Sequence, residues 1–148
     1  LDEARVKELK AEAERDPRDA VTRTVLANIY FDADRFREAV TWYEASLALN
    51  PDDVNVSTDL GVSYYYTNQP DRALEQFMHS LKVEPEHVKT ILNIGIVRAF
   101  GKQDLAGAAE AWDRVIAIAP DSPEGRAAQQ ALESLRSAHA GDVATTGS

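Results

Sequence analysis

The 148-residue chain has no cysteine, a single methionine and only two tryptophans. Without cysteine there can be no disulfide, no thiolate metal site and no cysteine nucleophile. No apolar run approaches the roughly 20 residues needed to cross a bilayer, so no membrane insertion is expected of this segment. Positive charge is also scarce: 25 Asp and Glu stand against 16 Lys and Arg, a formal charge of −9. Nucleic acid and anionic lipid are therefore poor partners. The chain starts at Leu1 rather than methionine, which is expected of a chain whose N-terminal address or anchor has been cut away. Both cytoplasm and periplasm stay open.

What the chain has in quantity is self-similarity. Proline recurs at Pro17, Pro51, Pro85 and Pro120, at steps of 34, 34 and 35. Leu26, Leu60 and Ile94 keep a step of 34, as do Tyr30 and Tyr64. Ala39, Ala73 and Ala108 step by 34 and then 35, in phase with the aromatics Tyr43, Phe77 and Trp112. Within each period two apolar patterns of helical spacing flank a short polar turn, and a proline closes the second. Repetition of this kind marks stacked helical hairpins.

The Leu26-Ala27, Leu60-Gly61 and Ile94-Gly95 pairs, with the tyrosines, alanines, aromatics and prolines above, resemble tetratricopeptide repeats. The resemblance covers Ala20 to about Pro120 and implies an all-α, right-handed solenoid of three helix–turn–helix repeats, with flanking helices. The expected division is an N-terminal helix (1–19), repeats at 20–53, 54–87 and 88–121, a C-terminal covering helix (122–139) and a disordered tail (140–148), all in one domain. The third repeat departs from the pattern. Arg98 stands at the tyrosine place, and one extra residue between Gly95 and Ala108 is expected to lengthen the turn, with Gly101 or Gly107 taking up the slack.

No catalytic constellation is visible. His79, His87 and His139 are far apart and lack ligand spacing, so no metal is expected. The pairs Asp16/Asp19 and Asp52/Asp53 sit at inter-repeat turns, where capping explains them better than acid–base chemistry. The serines have no nucleophile elbow, and Gly95, Gly101 and Gly107 do not make a phosphate loop. Asn55-Val56-Ser57 matches a glycosylation acceptor but falls inside an expected helix. No cofactor is expected, and no enzyme.

The family is mostly a binding scaffold, and its first helices line a groove. The groove-facing candidates are Thr24, Asn28, Phe31 and Asp32; Thr58, Asp59, Val62, Tyr65 and Tyr66; and Lys89, Asn93, Ile96 and Phe100. Phe31, Tyr65, Tyr66 and Phe100 recur near one repeat's spacing, as an aromatic ladder would. Aromatic rings bury much area at small entropic cost, so the expected partner is a protein, as a peptide or an amphipathic helix. Some family members grip a C-terminal carboxylate with a clamp. Here Asn28 and Lys89 match it, but Thr24 replaces a lysine, Asp59 an asparagine and Asn93 an arginine. An acidic group beside a ligand carboxylate is repulsive, which implies another specificity. Self-association into a homo-oligomer is the rival reading. A second arises because DLAGAAEAWDRVIAIAPDSPEG looks like the repeats of bacterial cytochrome c maturation factors, which would place the chain in envelope assembly.

Overall fold

The structure is a computed structural model that describes the backbone of residues 1–146 and the side chains of residues 1–138. Among the described residues every regular element is helical: α1 (Glu3–Arg15), α2 (Ala20–Asp32), α3 (Phe36–Leu49), α4 (Val54–Tyr66), α5 (Pro70–Val83), α6 (Val88–Ile96), a π-helical turn (Val97–Gly101), α7 (Leu105–Ile118) and α8 (Pro123–Thr146). The chain forms two compact units, Leu1–Pro85 and Glu86–Ser148.

Helix starts follow from side chains that satisfy the first free N–H groups. Asp19 Oδ1 accepts from Thr22 N (2.9 Å), Asp53 Oδ1 from Val56 N (3.1 Å), Asp104 Oδ1 from Gly107 N (2.9 Å) and Ser122 Oγ from Gly125 N (2.9 Å). The Asp19 and Asp53 carboxylates are thus caps. Helix α1 ends on Arg23, whose guanidinium donates to the carbonyls of Ala13, Asp16 and Asp19. One long side chain thereby ties α1 to α2.

In the first unit α2 pairs with α3 and α4 with α5, and α3 packs on α4. Leu26, Ala27, Ala39, Leu60, Ala73 and Phe77 are all buried. The small residues decide the spacing: a methyl on Gly61 would run into the Phe77 ring, so glycine permits the close approach of α4 and α5. The second unit repeats the device, with Gly95 beneath the Trp112 indole. Trp112 Nε1–H also donates to the Leu92 carbonyl at 3.2 Å.

Three turns of equal length close the hairpins. Each has a left-handed residue in the middle: Asp34 (φ 58°), Asn68 (φ 63°) and Gln103 (φ 53°). The extra residue of the third repeat is therefore not in the turn, contrary to the sequence expectation. It lies in the helix before it, where Lys102 N–H reaches back five residues to Val97 O at 3.1 Å. Such π turns accommodate one inserted residue without breaking the helix. The insertion also changes what is buried. Ala99 is buried, whereas Arg98 is half-buried and its Nη1 donates to Gly107 O at 3.2 Å. Arg98 is thus not an unpaired cation in the core, and the bulk supplied by Tyr30 and Tyr64 in the other repeats is missing.

Two further expectations change. The segment from Ala140 to Thr146 continues α8 rather than forming a disordered tail; residues 147–148 lie outside the described residues. Thr58 does not face outward but is fully buried. Its Oγ1 donates to Val54 O at 2.8 Å, and it joins Ser57 and Ser80 in a polar seam between α4 and α5. The seam includes Gln76, whose Nε2 donates to Ser57 Oγ at 2.7 Å. Because α4 is covered by α3 on one side and α5 on the other, its buried arc is wider than a single hydrophobic stripe.

Candidate functional site

In the first unit the side chains left at the surface by α2 and α4 gather into one aromatic cluster. Phe31, at the end of α2, meets Phe36, at the start of α3, edge-on at 5.4 Å between centroids. Phe36 is stacked on Tyr66, at the end of α4, at 4.5 Å and 20°. Tyr66 in turn touches Tyr65 at 5.4 Å. Tyr66 is 59% exposed, so a large ring is presented to solvent on a firm backing. Phe31, Phe36, Val62 and Tyr66 also line a shallow depression. Phe36 was not among the groove-facing candidates; its place at the first position of α3, directly after the turn, leaves it half-buried and in the cluster.

Polar groups sit beside the rings. Tyr43 Oη–H donates to Asn28 Oδ1 at 2.6 Å. Burial, and after it the negative charges of Asp59 and Asp32, push the Tyr43 phenol well above its ordinary range. These carboxylates place negative charge beside the Tyr43 ring. Thr24 is half-buried and shares a 2.6 Å hydrogen bond with Ser46. Of the clamp positions in this unit, Thr24 is committed inward and Asp59 is acidic.

In the second unit Lys89 and Phe100 are exposed, while Asn93 and Ile96 are half-buried. Asn93 Nδ2 donates to the Lys89 carbonyl at 2.8 Å, so its amide serves its own helix. Phe100, 68% exposed, stands at the mouth of a cavity of ≈ 600 Å³ walled by α6, the π turn, α7 and α8. Among the described residues the lining is apolar apart from Ser134.

The described histidines serve the fold. His79 Nε2–H donates to Pro51 O at 2.9 Å, and His87 Nδ1 shares a 2.6 Å hydrogen bond with Thr90 Oγ1. The His139 side chain lies outside the described residues. Among the described residues no group of three or more His, Cys, Asp or Glu side chains could hold a metal ion. No helix among them is long and apolar enough to cross a membrane.

A family model described as "TPR repeat" matches residues 27–68, and one described as "Tetratricopeptide repeat" matches residues 58–123. The chain belongs to the tetratricopeptide repeat family. This TPR chain is 26% identical over 111 residues to the human protein O-mannosyl-transferase TMTC3, a match covering 75% of the chain but only 12% of that protein. Among solved structures, the crystal structure of MamA superposes with a TM-score of 0.74 at 16% identity, covering 86% of this chain and 77% of that one. The first TPR of Spaghetti (RPAP3) bound to the HSP90 peptide SRMEEVD superposes with a TM-score of 0.66 at 22% identity, covering 80% of this chain and 96% of that one. At these identities the superpositions establish the TPR fold.

Proposed function

We propose that the chain is a protein-interaction module that receives a peptide or an amphipathic helix on the outward faces of its first helices. The observation that carries this reading is the exposed stack of Phe36 and Tyr66, flanked by Phe31 and Tyr65. Surface rings held on rigid helices offer affinity without loss of order on binding. Asp32 and Asp59 act on Tyr43, whose ring meets Phe31 at the edge of this cluster, and the chain carries a net charge of −9. The partner segment is therefore neutral or basic, with apolar side chains. The peptide-bound RPAP3 neighbour supports the use of this fold for peptides. A carboxylate-rich peptide like the one it holds would be repelled by Asp32 and Asp59 here.

Photo-cross-linking in cells tests the proposal. With benzoylphenylalanine in place of Tyr66, a discrete covalent adduct to a partner protein is expected. The same group in place of Glu75, on the outer helix α5, is expected to give none. No adduct at Tyr66, or equal adducts at both positions, would overturn it.

A further inference from the structure

The cavity of the second unit is the counterpart of the shallower depression that the first unit leaves beside its stacked rings, lined by Phe31, Phe36, Val62 and Tyr66. A step of 69 residues relates the two. It carries Pro51 to Pro120 and the cap Asp53 to the cap Ser122, and so aligns α4 with α8. The same step carries Phe31 to Phe100 and Tyr43 to Trp112. In the first unit, Tyr66 on α4 reaches over to stack on Phe36. In the second unit, Leu135 and Leu105 stand at those two positions. Tyr65 gives way to Ser134, Val62 to Ala131 and Val40 to Ala109. Five substitutions thus remove bulk around one point, and Ala99, buried by the π turn, adds nothing back. The result is an open space of ≈ 600 Å³, within the range of about 300–1,000 Å³ typical of ligand pockets.

We infer that this cavity is a receptor for an aromatic side chain supplied by a partner polypeptide, in the place that Tyr66 occupies in the first unit. The inference rests on the binding reading above and specifies what the second unit recognises. Phe100 at the mouth and Trp112 in the wall supply ring faces and edges, and the other described lining residues are aliphatic except for Ser134. An uncharged ring gains both from area removed from water and from offset or edge-on contact with those rings. A lysine or a carboxylate would lose hydration and find no counter-charge among the described lining residues.

The test uses the intact chain, labelled with ¹⁵N, and capped amino acids as probes. N-acetyl-tryptophanamide is expected to shift the Trp112 indole resonance and those of Ala109 and Ala131 in a saturable way. The Trp42 indole, outside the cavity, is expected to stay in place. N-acetyl-leucinamide is expected to bind about two- to tenfold more weakly, the margin of an aromatic contact, and N-acetyl-lysinamide not at all. Leu135→Tyr places a ring where Tyr66 stands in the first unit and is expected to raise the unfolding midpoint and weaken or abolish the shifts. Ser134→Tyr, at an exposed position, is the second variant should Leu135→Tyr not fold.

No saturable shift, equal binding of the leucine probe, or binding unchanged in a folded tyrosine variant would each overturn the inference. So would Trp112 broadening that grows with protein concentration and vanishes in Leu135→Tyr, because the occupant would then be a second copy of the chain. Probe failure with the Tyr66 adduct retained removes this inference alone. Saturable probe binding with no adduct at Tyr66 removes the wider reading and leaves the cavity.

Discussion

The two units build the same helical hairpin on the same backing and finish it differently. In the first, Phe77 is sealed against Gly61 and the outer rings Phe36 and Tyr66 close over one another. In the second, Trp112 lies against Gly95 in the same way but forms part of an open cavity wall. Side chains that repeat between the units hold the helices together, and those that differ decide what is left for a partner. A repeat protein can therefore acquire a binding site by subtraction, since neighbouring hairpins keep the stack intact.

Truncating the two equivalent aromatics probes this difference with the largest effects. Phe77→Ala is expected to cost about 3–5 kcal/mol, because a sealed site leaves its full cavity behind. Trp112→Ala is expected at the lower end of that range, because the buried indole borders an open cavity into which its neighbours can relax. Urea unfolding of both variants measures the pair, and the reverse order would mean that the second unit is as closed as the first.

Alkaline unfolding is expected next in size and belongs to the first unit. Burial and neighbouring carboxylates raise the phenols of Tyr43 and Tyr64 above their ordinary value of 10.0, Tyr64 also through its 2.6 Å hydrogen bond to Glu44. A raised folded value means that the folded chain holds protons which the unfolded chain releases. The stability from these two groups is complete below pH 10 and is lost as the pH rises above it. Denaturation followed by circular dichroism should show this loss, and Tyr43→Phe should diminish it.

Tyr66→Ala is expected to cost about 1 kcal/mol of stability, the value of one exposed aromatic stack, whereas Leu135→Ala, which removes no ring and trims a side chain that already borders an open cavity, should cost no more. Thermal denaturation compares them. The smallest expected effect lies in the third turn. Gln103 holds φ 53° where the other turns place Asp34 and Asn68, residue types that tolerate the left-handed region better. Gln103→Gly is expected to stabilise by about 0.5–1 kcal/mol, and Asn68→Gly by less, both measured by urea unfolding.

Hairpin boundaries and caps were legible in the sequence because proline, aspartate and glycine act locally and recur in phase. The position of the inserted residue was not legible. Counting between Gly95 and Ala108 shows only that one residue is extra, and whether a turn or a helix absorbs it depends on backbone hydrogen bonding, here from Lys102 to Val97. Thr58 was misplaced because a polar residue beside a hydrophobic stripe reads as surface, while α4 is covered from two sides. Phe36 escaped the groove-facing candidates because its spacing matches the interior of α3, although the first residue of a helix has no preceding turn to cover it. The second unit's cavity was present in the sequence as the 69-residue comparison of Tyr65 and Tyr66 with Ser134 and Leu135. Only the contact between Phe36 and Tyr66 reveals what that comparison means.

The central claim is that surface rings on the first helices supply the affinity for a partner. Calorimetric titration of the segment cross-linked at Tyr66 into the wild-type chain and into Tyr65→Ala and Phe100→Ala variants tests it most directly. A loss of about 1–3 kcal/mol in binding with unchanged helicity is expected for the ring that the segment contacts. Wild-type affinity in both variants would contradict the account.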